Sequence, residues 1–322
     1  MGTRGVRPLV DSALLAALGA VLVLLGWYVP VVGLFASIVS PLPTAVAVIR
    51  HGARWGVMSS LVTAFVTAPL IGIPLAVSLW AVNGAMGISF GVAVRRNMRP
   101  TMVLVTAAAG SIVAIIVGYA AMFLVMGVTP RGEIAKMVSI YRQALEKSQA
   151  LLGPNPAAEE ILRVFDVDFI LSIAPAGVVL GGFGLAWMNY EVFSRVLPRL
   201  GHSLEPLPPF SRWIFPEFVA HAGFLTFILP YFQSFVAVPG FSALIQNLSF
   251  VTGPLFTIES LSVLSFYLMQ SGMSRGMTVL AGFLVVSVLA QAGPLSLLAP
   301  LFGMIDILFD FRRLRYPPVG EI

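Results

Sequence analysis

The chain has 322 residues, of which 58% are hydrophobic and only 10% charged, and it contains no cysteine. Soluble domains carry about 25% charged residues, so this much apolar surface calls for lipid as the solvent, and no hydrophilic stretch is large enough for a separate soluble domain. The lack of cysteine excludes a disulfide framework, thiol catalysis and iron–sulfur ligation, and the net charge of +5 reads as a record of membrane topology, with no nucleic acid expected as a partner.

Arg4 and Arg7 precede an apolar run from Ser12 to Trp27. A signal peptide would look similar at its start, but the run is long and no small-residue cleavage site follows, so it is read as the first span. Further spans are expected at about 31–49, 55–72, 74–94, 101–127, 168–190, 216–236, 243–269, 276–292 and 294–310. Pro41 and Pro43 interrupt the second, and the last is near the shortest length that can cross. Alternation with a period of two is missing, so the spans are helices and not barrel strands. The predicted fold class is all-α: a polytopic membrane helix bundle of nine or ten spans with an outer amphipathic helical segment. It divides into an N-terminal bundle (1–127), the outer segment (128–167) and a C-terminal bundle (168–322).

The basic residues test this map. Arg4/Arg7, Arg50/Arg54, Arg95/Arg96/Arg99, Arg195/Arg199/Arg212, Arg275 and Arg312/Arg313/Arg315 fall in alternating loops. All the others (Arg131, Lys136, Arg142, Lys147 and Arg163) lie in the single segment 128–167. The positive-inside rule then places both termini in the cytoplasm and this segment outside, in a bacterial inner membrane. Within it, Ile134, Met137, Val138, Tyr141 and Leu145 recur at helical spacing. Gly153-Pro154 stops that helix, and Asn155 can cap a second one, with Pro156 at its first position. The pair is either an interfacial hairpin on the bilayer or a lid over an outward-facing site.

No enzyme is expected: there is no Walker-type loop, and His51, His202 and His221 lack metal-ligand spacing. No cofactor or metal is expected either. Gly84, Gly87 and Gly91 read as helix-packing positions, as do Gly177, Gly181, Gly182 and Gly184. Four polar residues within spans form the expected substrate-binding set: Glu259, Asn83, Gln246 and Asn247. The amides and Gln291 are also explained as interhelical hydrogen-bonding glue. Glu259 is different, because a carboxylate at mid-span costs several kcal/mol or so unless it faces the protein interior, a partner or water. It is expected to line an interior cavity, with no Lys or Arg in its own span to balance it.

Two stretches resemble families. The face Ala13, Ala16, Ala17 and Ala20, followed by the Pro41/Pro43 loop and a glycine-rich fourth helix, resembles S components of energy-coupling-factor transporters over roughly 10–127. That resemblance implies a partner-docking role for the alanine face. The terminal run Leu301–Arg313, with Phe210-x-x-Trp213-x-x-Pro216 ahead of the seventh span, resembles the YybS-like family of bacterial multi-span membrane proteins over essentially the whole chain. Asp306 and Asp310, one turn apart with Arg312/Arg313 beyond, suit an interfacial ion-pair network or a docking site for a cytoplasmic partner. The expected function is binding and passage of a small molecule without chemistry. The alternative is a non-transporting scaffold that organises cell-envelope partners. The expected partners are membrane lipid, a membrane or cytoplasmic protein, and a small-molecule substrate.

Overall fold

Proline and glycine punctuate the helices. Proline has no N–H and suits a helix start, whereas glycine accepts the left-handed backbone of a helix end. Pro30, Pro74, Pro100 and Pro130 open helices, and Gly52, Gly72, Gly127 and Gly153 close others at positive φ. The computed structural model describes residues 6–153, 166–232, 235, 240–291 and 293–314. The outer helix expected after Asn155 and the side chain of Gln291 lie outside the described residues.

In chain order the helices are α1 (Val6–Tyr28), α2 (Pro30–Val39), α3 (Leu42–His51), α4 (Ala53–Ile71), α5 (Ile73–Arg95) and α6 (Pro100–Met126). They continue as α7 (Pro130–Leu152), α8 (Val167–Val196), α9 (Glu217–Phe232), α10 (Phe241–Gln270), α11 (Arg275–Gln291) and α12 (Leu298–Phe309). Among the described residues, seven segments are long and apolar enough to cross a membrane. Pro30–His51 is one of them, although it is broken between α2 and α3. The apolar helices Glu217–Phe232, Arg275–Leu289 and Leu295–Phe309 are shorter. The protein is an all-α membrane helix bundle.

Its packing follows the logic of lipid, in which small residues face inward and large apolar ones outward. Ala45, Ala93, Ala107 and Ala186 are fully buried, while Phe65, Leu124 and Val31 are 82%, 80% and 73% exposed.

The chain packs as two compact units, Met1–Ala174 with Val178–Leu207, and Pro175–Gly177 with Pro208–Ile322. The sequence reading draws its lines at 127 and 167 instead. The aromatic residues of α8 explain the later division: Phe193 meets Phe90 of α5 edge-on at 4.6 Å, and Tyr190 lies 5.8 Å from the same ring. The Tyr190 hydroxyl donates to Glu205 O at 2.6 Å, which ties down the segment after α8.

In the first unit α5 packs against α3, α4 and α6. Glycine permits the closest of these approaches. A Cβ on Gly87 would fall 2.6 Å from Pro41 O, and one on Gly91 would fall 2.8 Å from Ala45 O. In the second unit α10 carries α9, α12 and the short 3-10 turn Phe210–Arg212. Helix α7 has Thr129 as its N-cap, accepting from Gly132 N at 3.1 Å, and leaves Met137 and Tyr141 exposed.

His202 follows the last turn of α8 in the first unit. Burial, then the nearby Arg50 guanidinium, hold its imidazole below the usual range. The folded state therefore favours the neutral ring. That contribution to stability is present above the ordinary imidazole value of about 6.5 and is lost as pH falls through the lower folded value. His202→Gln should flatten the acid side of a melting-temperature profile and leave the neutral side unchanged; an unaltered acid side would refute it.

Candidate functional site

Among the described residues, two polar constellations lie inside the helices, one in each unit. The first begins at the break in the second span. Proline at 41 and 43 removes the N–H groups that would serve the carbonyls of Ser37 and Val39, so the helix stops at Val39 and restarts at Leu42. The break adjoins a cavity of about 20 Å³. Its lining mixes polar side chains (Ser40, Thr44, Ser60, Thr63, Thr67, Trp80 and Asn83) with apolar ones, among them Val23, Ala76 and Leu79.

Most of the hydroxyl protons there are engaged by backbone carbonyls. Ser40 Oγ donates to Ser37 O (2.8 Å), Ser60 Oγ to Val57 O (2.9 Å) and Thr67 Oγ1 to Thr63 O (3.0 Å). Thr63 Oγ1 lies 3.0 Å from both Ser59 O and Ala16 O. Trp80 Nε1 donates to Ser60 Oγ at 3.2 Å. Among the described residues the Asn83 carboxamide makes no hydrogen bond. Asn83 is the one residue of the expected substrate-binding set that lies in this unit.

The second constellation surrounds Glu259. Asp310 ends α12 in the left-handed conformation at φ 46, which Asp tolerates better than most side chains. The chain then turns back, and Arg312 enters the bundle. Its Nη2 pairs with Glu259 Oε1, and with Asp306 Oδ2 at 2.9 Å, all three side chains being fully buried. Arg312 Nη2 also donates to Trp213 O (2.8 Å), and Nη1 to Ser211 O (3.0 Å) and Ser262 Oγ (2.6 Å). Glu259 Oε2 accepts from Phe215 N at 3.0 Å. Ser262 Oγ reaches Phe210 O (2.7 Å) and Trp213 O (2.9 Å). Arg312 Nε has no acceptor among the described residues.

The Phe210–Pro216 motif, the terminal Leu301–Arg313 motif and Glu259 thus converge on one buried centre. Glu259 has both oxygens engaged by protein groups. Two carboxylates share one guanidinium, and the remaining bonds grip the backbone of 210–215. Such an arrangement is built to hold chain segments together.

The other expected residues are dispersed. Asn247 Oδ1 accepts from Ala176 N at 2.8 Å, next to Pro175, where a proline inside a helix disturbs the local bonding. Gln246, half-buried, precedes it on α10. Both lie about 18 Å or more along the helix axis from Glu259. The alanine face of α1 splits. Ala16 and Ala20 are buried, and Gly19 beside them would meet Thr63 Oγ1 at 2.9 Å if it carried a Cβ. Ala13 and Ala17 are exposed.

A family model described as "Predicted membrane protein (DUF2232)" matches residues 17–307, a range that includes Asn83, Glu259 and Asp306. The chain belongs to this family. It is also similar to "Uncharacterized protein YybS" of Bacillus subtilis (strain 168), with 24% identity over 316 residues covering 95% of this chain and 98% of the relative. No solved structure matches. For this DUF2232 member, sequence reasoning pairs Asp306 with the basic residues beyond it, but it misses Arg312 as the counter-charge of Glu259. It also misses the hydroxyls of Ser60, Thr63 and Thr67. The signal for these was available, since Ser60, Thr63 and Thr67 recur at helical spacing along α4.

Proposed function

We propose that this multi-pass membrane protein binds and passes a small polar species, without chemistry, at the break of its second span. The Asn83 carboxamide carries this reading: it sits mid-span, lines the cavity and has no protein partner among the described residues. Interhelical glue would be bonded. Broken spans near mid-membrane are a recurrent place for substrate sites in transporters, because the backbone exposed there lines a cavity. The Glu259–Arg312–Asp306 centre then acts as the rigid closure of the second unit. The pattern of basic residues supports an inner-membrane orientation with cytoplasmic termini and α7 on the outer side.

Asn83→Leu tests the proposal. It replaces an unbonded amide by an apolar side chain of similar size, so ligand-free stability should hold or rise by up to about 1 kcal/mol. Stabilisation by small polar solutes should disappear. A clear loss of ligand-free stability would mark Asn83 as structural and sink the reading. One observation favours a scaffold as the second reading: Ala13 and Ala17 leave part of α1 smooth and exposed, a surface suited to another membrane helix. Loss of co-purifying membrane proteins in Ala17→Leu, with no solute response in the wild type, would decide for it.

A further inference from the structure

We infer that α7 lies along the membrane surface and binds anionic lipid headgroups there. Its place in the fold is the first argument. Only Val128 and Thr129 separate Gly127, which closes α6, from Pro130, which opens α7. Arg131 Nη1 pairs with Asp168 Oδ1 at 2.9 Å, so the first turn of α7 sits beside the first turn of α8. Both α6 and α8 belong to segments long and apolar enough to cross a membrane. Their adjoining ends therefore hold the start of α7 at the level of the headgroups.

The pattern around the helix is the second. At helical spacing, Ile134, Met137, Ile140, Tyr141, Leu145 and Leu151 fall on one side of α7. Among the described residues no other helix packs closely on it. Met137, Ile140 and Tyr141 are 63%, 66% and 60% exposed. A lid would bury that side against protein. At the membrane surface the apolar solvent within its reach is the headgroup–acyl boundary, where amphipathic helices lay their apolar faces.

Charge selects the headgroup. Arg142 borders one edge of the apolar side, and Lys136 and Lys147 border the other. All three are exposed. Their stems can run along the apolar face while the charged heads reach lipid phosphates. Glu146 lies on the opposite pole, toward water. Glu133 is the one acid near the apolar edge, and Lys136 pairs with it at 3.0 Å. It also sits in the first turn, where the helix dipole favours a carboxylate. A basic border on both flanks with the remaining acid pointing away suits an anionic leaflet.

The test uses the full chain in lipid nanodiscs, and the lack of native cysteine allows single labels. Nitroxides are attached at Ile140→Cys, on the apolar side, and at Glu146→Cys, on the far pole. Collisions with oxygen, which concentrates in lipid, and with a water-soluble nickel chelate report the depth of each. In discs containing phosphatidylglycerol the label at position 140 should lie about 5–10 Å into the headgroup–acyl boundary, and the label at 146 in water. The label at 140 should move outward in discs of phosphatidylcholine alone. It should also move outward when Arg142→Gln and Lys147→Gln are combined. Free access of the chelate to position 140 overturns the inference. A label there shielded from both reagents overturns it too, because protein and not lipid then covers the face. Equal depth in the two lipids, or no change in the double variant, overturns the anionic preference and leaves the surface position standing.

Discussion

Arg312→Met should be the most damaging single substitution in the second unit, costing about 3–5 kcal/mol. The side chain is fully buried and bonds to Glu259, Asp306, Ser262 and the carbonyls of Ser211 and Trp213. Methionine fills much of the same volume, so lost packing is a minor part of the effect. The loss comes from two carboxylates left without a counter-charge and from the hydrogen bonds that the guanidinium gives to Ser211 O and Trp213 O. The cost must therefore be conditional on those carboxylates. Adding Glu259→Gln and Asp306→Asn to Arg312→Met should recover a large part of it, because a buried charge is most expensive when its partner alone is removed. Unfolding in mixed micelles of increasing denaturing detergent would measure both. Equal stability of the wild type and Arg312→Met, or an additive loss in the triple variant, would contradict the account of the clamp.

Gly303→Val should come close to it, through sterics and not charge. A Cβ at Gly303 would fall inside the van der Waals envelope of the Phe256 carbonyl. That atom is helix backbone, so it cannot move aside as a flexible side chain would. Helix α12 must then separate from α10, which carries Asp306 and the following Arg312 away from Glu259. Overpacking alone costs about 1–3 kcal/mol, and the broken ion pair adds to it. The readout is the same detergent unfolding, with Gly282→Ala as the control. Its Cβ would meet only the Leu261 side chain, at 3.3 Å. Similar small effects from both substitutions would contradict the tight crossing of α10 and α12.

Much of the helix map was legible because its signals are local. Proline and glycine at helix ends act through their own backbone, and Pro41/Pro43 break the second span where they stand. Asn83 was visible for the same reason, as a lone amide within an apolar helix. The counter-charge of Glu259 was not, because Arg312 lies 53 residues away. It reaches the carboxylate only after the chain reverses at Asp310. Asn247 was noticed, but its task depends on a proline in another helix. The alanines of α1 defeat a simple reading for a different reason. Ala13, Ala16, Ala17 and Ala20 cover more of the helix circumference than one contact requires, and spacing alone does not tell which part turns inward.

The wide separation between Glu259 and Arg312 also orders events during synthesis. The ribosome adds roughly 5–20 residues per second, so about 3–10 s pass between polymerisation of the carboxylate and of its cation. For that interval α10 has no guanidinium to pair with. The newly inserted helix must stay near water, headgroups or the insertion machinery until the last turns emerge. Closing the clamp is then a late step in synthesis, and a chain arrested before residue 312 carries Glu259 without its cation.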